Sequence, residues 1–333
     1  MKRPDSIFEA VESFFVDYLK LARGSSSCTL KSYRDTLRLL FEYASRVRNV
    51  PFDRLRLVDF DAELILDFLN DLESVRHNRV STRNCRLSAL HSFFKHVQRR
   101  CPEHAGRVAR IIALPPKRHP LAPPRYLDSP AVQLLLCSPD RHTAAGRRDY
   151  ALILFLYNTG ARVSEAIAVR HKDLLPGPAV HLCGKGRKER VSPLWPETIA
   201  AIKAMLPSAH AGPEQPVFPN LRGQSLTRHG VYRILSQHAQ SVHQGNASFP
   251  AKVWPHLIRH SCAVGMLQAG VDLVTIRDQL GHASVATTSR YATSNLKLKR
   301  AALEAFWAAT GMSSPKRNRW RLTPKLSQFL HSI

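Results

Sequence analysis

The stretch Leu114-Pro115-Pro116-Lys117-Arg118-His119-Pro120-Leu121-Ala122-Pro123-Pro124-Arg125 decides how the chain is laid out. Its five prolines fix φ and remove backbone donors, so no continuous helix can run through it. What remains is an extended, semi-rigid connector. A chain of 333 residues has the length for two domains. The boundaries read as residues 1–113 for a first domain, 114–127 for the linker, 128–311 for a second domain and 312–333 for a tail.

Upstream of the connector the pattern is helical. Leu37, Leu40, Phe41 and Ala44 recur at helical spacing, as do Leu64, Ile65, Phe68 and Leu69. Ser81 is placed to cap a third helix whose apolar stripe is Leu87, Leu90, Phe94 and Val97. From Val75 to Arg100 there are seven basic residues and no acidic one. Arg79, Arg83 and Arg86 are spaced to share a face away from that stripe, with Lys95 farther along. Basic helix faces are commonly just solvated. One without an acid over 26 residues is expected to meet phosphate.

Downstream, the second part reads as mostly helical with one hairpin. Ala179-Val180-His181-Leu182 and Arg190-Val191-Ser192-Pro193-Leu194 flank Gly184-Lys185-Gly186-Arg187-Lys188-Glu189, whose glycines permit a turn. The fold class is therefore mainly α with a small β-hairpin in the second domain. The tail after residue 311 carries Lys316, Arg317, Arg319, Arg321 and Lys325 and no acid.

Composition narrows the function. Lys and Arg number 49 against 25 Asp and Glu, a formal net charge of +24, which points to a polyanionic partner such as nucleic acid. A hydrophobic content of 44% is enough for a real core, so this is not a disordered basic tail. The first residues, with Asp5, Glu9 and Glu12, do not read as a signal peptide, and no apolar run is long enough to cross a membrane. The six cysteines form no C-x-x-C pair, which fits a reducing cytoplasm and no zinc site. The sixteen histidines include no H-E-x-x-H motif, and no metal is expected.

Four segments of the second part need a common explanation. In Asn158-Thr159-Gly160-Ala161-Arg162-Val163-Ser164-Glu165 a helix stops at Gly160 and another begins with Arg162 at its amino end. The hairpin turn carries Lys185. In Pro255-His256-Leu257-Ile258-Arg259-His260-Ser261, Pro255 suits a first helical position, with His256 and Arg259 at i and i+3. In Leu280-Gly281-His282-Ala283-Ser284-Val285-Ala286-Thr287-Thr288-Ser289-Arg290-Tyr291, Gly281 ends a helix and Ser284 is able to cap the next. Singly each is weak: an arginine at a helix start is usually on the surface, and Gly184-Lys185-Gly186 lacks the G-x-x-x-x-G-K-[ST] pattern of an ATP loop. The punctuated helices from 255 to 295 also permit a helix-turn-helix reader.

Together they hold the parts for phosphoryl transfer without a metal. Two guanidinium groups hold a phosphate, an ammonium protonates a leaving alkoxide, and histidine moves a proton near neutral pH. Tyrosine is an oxygen nucleophile once a base or cations help its pKa of about 10. A two-metal mechanism would need clustered carboxylates, and none occurs in the His256 or His282 segments.

The motifs T-G-A-R-V-S-E, G-K-G-R-K-E-R, H-x-x-R-H-S and L-G-H-x-S-x-x-T-T-x-x-Y, in this order, resemble those of the tyrosine recombinases, or phage-integrase family, with Xer-like and mobile-element integrases nearest. The resemblance covers a SAM-like core-binding region and a catalytic domain, and implies a two-domain C-shaped clamp on DNA. It makes Arg162 and Arg259 the phosphate clamp, Lys185 the general acid, His256 the acceptor of the tyrosine proton, His282 a second phosphate contact and Tyr291 the nucleophile. Glu165 falls at the family's supporting acidic position. Arg79, Arg83, Arg86, Lys95, Arg118, Arg187 and Lys188 are the candidate DNA contacts outside this set.

The implied reaction is site-specific recombination of double-stranded DNA through a 3′-phosphotyrosyl link, serving movement or resolution of a mobile element. No ATP, metal or other cofactor is required. The implied assembly is a homotetramer on paired sites, or a mixed assembly with related recombinases, and residues 296–309 resemble the helix that family members dock into a neighbour. A type IB-like topoisomerase and a non-catalytic DNA-binding regulator are the rival expectations.

Overall fold

The computed structural model describes residues 7–120, 124–184, 188–205, 212–281, 284, 288–289 and 303–304. The chain divides into two compact units, Met1–Leu121 and Ala122–Ile333.

The first unit is helical. Helix α1 (Ile7–Ser13) continues as a π-wound segment, Phe14–Ala22, and is followed by α2 (Ser27–Arg48), α3 (Ala62–Ser74), α4 (Val80–Arg100) and α5 (Ala105–Ile112). Ser26 caps α2 by accepting from the Thr29 amide at 3.2 Å, and Asp61 caps α3 by accepting from the Leu64 amide at 2.8 Å. All the apolar residues expected on one side of these helices are buried: Leu37, Leu40, Phe41 and Ala44 on α2, Leu64, Ile65, Phe68 and Leu69 on α3, Leu87, Leu90, Phe94 and Val97 on α4. Aromatic rings fill the centre, with Phe14 edge-on to Phe93 at 5.3 Å and Phe93 edge-on to Phe94 at 5.2 Å. Each such ring contributes roughly 1.5–3 kcal/mol by leaving water. His96 is buried beside them, 2.8 Å from Ser13 Oγ, and burial holds its imidazole below the usual histidine pKa.

Helix α4 departs from expectation at its start. Its N-cap is Arg79 rather than Ser81, and the Arg79 side chain makes no capping hydrogen bond.

The second unit contains α6 (Ser129–Cys137), α7 (Ala144–Thr159), the short α8 (Val163–Ala166), strands β1 (Ala179–Cys183) and β2 (Glu189–Pro193), then α9 (Pro196–Met205), α10 (Arg228–Gly245), α11 (Pro255–Gln268) and α12 (Leu273–Leu280). The strands form an antiparallel pair in which Val180 faces Ser192 and Leu182 faces Arg190. Helix α7 is the central element: Ala151 to Leu156 are all buried, which a single apolar stripe would not produce, so neighbours cover it on several sides. Its end is fixed by chemistry that the Thr-Gly-Ala sequence supplies. The buried Thr159 hydroxyl donates to Phe155 O at 2.7 Å and accepts from the Ala161 amide at 3.2 Å. Gly160 then takes φ +57°, and a Cβ there would run into the Leu280 side chain and stand 3.1 Å from Cys262 Sγ. Only glycine turns the chain here.

Candidate active site

Three segments far apart in sequence meet at one helix end. Helix α12 stops at Gly281, which has φ +65°. Each of the last carbonyls accepts from a different arginine. Gln279 O takes Arg190 Nε at 2.9 Å, Leu280 O takes Arg259 Nη2 at 2.7 Å, and Gly281 O takes Arg162 Nη2 at 3.1 Å. Helix C-termini carry unsatisfied carbonyls and partial negative charge, so cations are favoured there.

Helix α11 delivers Arg259, and Pro255 occupies its first turn as expected. The guanidinium is 1% exposed and also donates through Nη1 to Gly160 O at 2.6 Å, so it spans the turn after α7 and the end of α12. His256, on the preceding turn, is exposed, its ring 4.3 Å from that of His260. Ser261 anchors the helix by accepting from the Leu127 amide at 2.8 Å.

Arg162 caps α8, and Glu165 holds it. The Arg162 amide donates to Glu165 Oε2 at 2.9 Å and its Nη1 to Oε1 at 2.7 Å, while Arg190 Nη2 also donates to Oε2 at 2.9 Å. The Glu165 side chain is 1% exposed. Burial opposes its ionisation, but hydrogen bonds and charge from Arg190, then Arg162, outweigh that and hold its carboxyl below the ordinary glutamate range. Two guanidinium groups thus share one carboxylate, and with Arg259 on the same helix end the site is net cationic, of the kind that receives a phosphate. Behind it, burial pushes the Cys262 thiol up to about 12, against the pull of Arg259 and Arg190.

Of the catalytic candidates, Arg162 and Arg259 are brought together on the end of α12, and His256 lies one turn before Arg259 on α11. Lys185, His282 and Tyr291 lie outside the described residues, as do Arg187, most of 296–309 and the tail. The described edges of those segments are Gly184 and Lys188 beside the hairpin turn and Gly281 before His282. Among the described residues, no group of three or more His, Cys, Asp or Glu is placed to hold a metal ion.

Arg79, Lys95, Arg118 and Lys188 are exposed. Arg86 is half-buried; burial, then the charge of Arg76, lowers its guanidinium pKa, and its Nη1 finds no hydrogen-bond partner among the described residues. Arg83 corrects the expectation of a shared solvent face. It is 4% exposed, with Nε 3.6 Å from Glu73 Oε2 and Nη1 3.3 Å from Asn84 Oδ1. It lies one turn before Leu87, at the edge of the apolar stripe, and its long stem packs there.

Sequence spacing does not single out two further polar residues, the buried Asn158 and the half-buried Arg190. Asn158 Oδ1 accepts from the Trp195 amide at 2.9 Å and from Thr198 Oγ1 at 3.0 Å, tying the end of α7 to the segment that follows β2. Arg190 joins the site from β2; its position at the end of the G-K-G-R-K-E-R motif was the available signal.

Comparison with known proteins agrees with this architecture. The model of the phage integrase family matches residues 125–297, and that of the phage integrase N-terminal SAM-like domain matches residues 13–100. The Sinorhizobium fredii protein named as an integrase/recombinase, y4rC, is 40% identical over the whole of both chains. Tyrosine recombinase XerC of Pelobacter propionicus is 33% identical, over 86% of this chain and 90% of its own. Among solved structures, the XerH site-specific recombinase in a post-cleavage complex with a palindromic difH substrate superposes with a TM-score of 0.67 at 22% identity, covering 90% of this chain and 88% of its own. The Tn1549 transposon integrase with a circular intermediate DNA gives 0.68 at 13% identity, covering 91% and 99%.

A helical unit followed by one that gathers arginines onto a helix end is the make-up of a tyrosine recombinase. The chain belongs to the phage integrase family, with both of that family's domains represented.

Proposed function

We propose that this recombinase cuts and rejoins double-stranded DNA at specific sites with Tyr291 as nucleophile. The observation that carries the reading is the convergence of Arg162 and Arg259 on consecutive carbonyls, Gly281 O and Leu280 O, directly before His282. A scissile phosphate bound by both guanidinium groups has its developing charge spread over fixed donors. His256 takes the Tyr291 proton, the phenolic oxygen attacks phosphorus, and the bond to the 5′ oxygen breaks as Lys185 protonates it. The product is a 3′-phosphotyrosyl link and a free 5′ hydroxyl. A 5′ hydroxyl from a partner strand reverses these steps and releases Tyr291. One phosphoester replaces another at each stage, so the exchange needs no ATP.

Arg79, Arg86, Lys95, Arg118, Arg187 and Lys188 supply backbone contacts that hold the duplex. Four copies act on two sites, alone or with related recombinases, in movement or resolution of a mobile element in the cytoplasm. No described helix is long and apolar enough to cross a membrane.

The test is covalent capture of nicked duplexes from a library with randomised arms. Wild type should form protein–DNA adducts, and Tyr291→Phe should form none while binding the same duplexes. Adducts at wild-type level from that variant would refute the assignment.

A further inference from the structure

Strand β2 turns a charge inward. Cross-strand partners share a face, so Arg190 and Ser192 lie on the side of Leu182 and Val180, which are 1% and 0% exposed. Val191, between them, points outward at 56% exposed. A strand placed by hydrophobic burial alone would show the opposite alternation. The Arg190 side chain is only 11% exposed, and an interior arginine needs compensating partners.

Those partners come from two other segments. Nη2 donates to Glu165 Oε2 and Nε to Gln279 O, both at 2.9 Å. Ser192 reinforces the second join, its Oγ accepting from Gln279 Nε2 at 2.7 Å. A Cβ on Gly281 would stand 3.1 Å from Arg190 Nη1, so the turn after α12 lies directly against the guanidinium. One planar group therefore fixes the hairpin, the start of α8 and the end of α12 against one another.

Each of these segments carries a group assigned to catalysis above: Lys185 in the hairpin turn, Arg162 held by Glu165, and His282 immediately after Gly281. We propose that Arg190 is a positioning residue for strand transfer, acting through these three groups. The proposal rests on the tyrosine-transesterification reading. Lysine is no substitute, because a single ammonium on a flexible stem cannot present N–H groups in two fixed directions. A displacement of the order of 1 Å at a reacting centre costs about 100-fold in rate.

The experiment uses full-length wild type, R190A, R190K, E165Q, R190A/E165Q and Y291F with one nicked duplex recovered by covalent capture. Adduct formation is timed in single turnover with protein in excess, and binding and thermal melting are measured alongside. Both R190A and R190K should lose about 100-fold in the saturated rate while Kd stays within about threefold. The double variant should lose little beyond the worse single one, because both changes break the same join.

Wild-type cleavage by R190K would show that charge suffices and overturn the proposal. So would a rate loss explained by weaker DNA binding, multiplicative losses in the double variant, or loss of a cooperative melt in both R190A and R190K. Adducts from Y291F, or none from wild type on any duplex, would instead overturn the transesterification reading, and this role with it.

Discussion

Arg162 and Glu165 hold each other twice within one turn: the Arg162 amide donates to Oε2 at 2.9 Å and its Nη1 to Oε1 at 2.7 Å. Backbone and side chain of the arginine are thereby fixed by one buried carboxylate. Arg259 is fixed differently, by the carbonyls of Gly160 and Leu280. Both devices fix guanidinium groups through the protein's own acceptors, and a phosphate bound there as proposed would meet preorganised donors, the kind that stabilise developing charge most.

Glu165→Gln should destabilise the second unit in a pH-dependent way. The folded carboxyl has a lowered pKa, so its stabilising effect is fully present above the ordinary glutamate range and is lost as pH falls through the folded value. Near pH 7, removing the charge leaves Arg162 and Arg190 without their counter-ion, at a cost of about 3 kcal/mol. That corresponds to roughly 6–12 °C in melting temperature for a domain of this size. Below about pH 4.3, where a free glutamate is protonated, the gap between variant and wild type should narrow. Melting curves from pH 7 to pH 3 decide it, and a constant gap would mean the charge of Glu165 contributes nothing.

Gly160→Ala should damage both fold and chemistry. The left-handed φ costs a residue with a Cβ roughly 1–2 kcal/mol. The added methyl meets the Leu280 side chain and stands 3.1 Å from Cys262 Sγ, and such overpacking costs about 1–3 kcal/mol more. Because Gly160 O is an acceptor for Arg259, any shift that relieves the clash also moves the guanidinium. Denaturant unfolding and adduct formation should therefore both suffer. A variant that unfolds like wild type would contradict the contact with Leu280.

Much of this was legible in the sequence because its causes are local. The stop at Gly160, the start at Pro255 and the hairpin strands follow from residues within a few positions of each other, and the buried stripes of α2, α3 and α4 from simple periodicity. What escaped depends on partners distant in sequence. Arg83 is buried because α3 supplies Glu73, and Arg190 faces inward because α8 and α12 supply Glu165 and Gln279. Local spacing carries no trace of either. The N-cap shifted to Arg79 for a related reason: capping propensity favours Ser81, but where α4 begins is set by the core it packs against.

The contrast between Arg79 and Arg83 gives a test of the first unit's nucleic-acid face. Arg79 sits at the amino end of α4, where positive charge is disfavoured by the helix dipole and where no acidic residue occupies the first turn. A cation kept at that end, exposed and without a capping bond, is well placed to share a phosphate with the helix amides. Arg79→Ala should leave melting unchanged and reduce the slope of log K against log salt by about one unit. Arg83→Ala should do the reverse, because its guanidinium packs inside against Glu73. There the salt slope should match wild type, while lost packing and a Glu73 carboxylate left to Lys117 alone lower stability by about 1–3 kcal/mol. Titrations of a 30-base-pair duplex at several salt concentrations, with melting curves for each variant, separate the two roles. An unchanged slope for Arg79→Ala would make it a merely solvated residue, and a reduced slope for Arg83→Ala would mean that Arg83 leaves Glu73 when DNA binds.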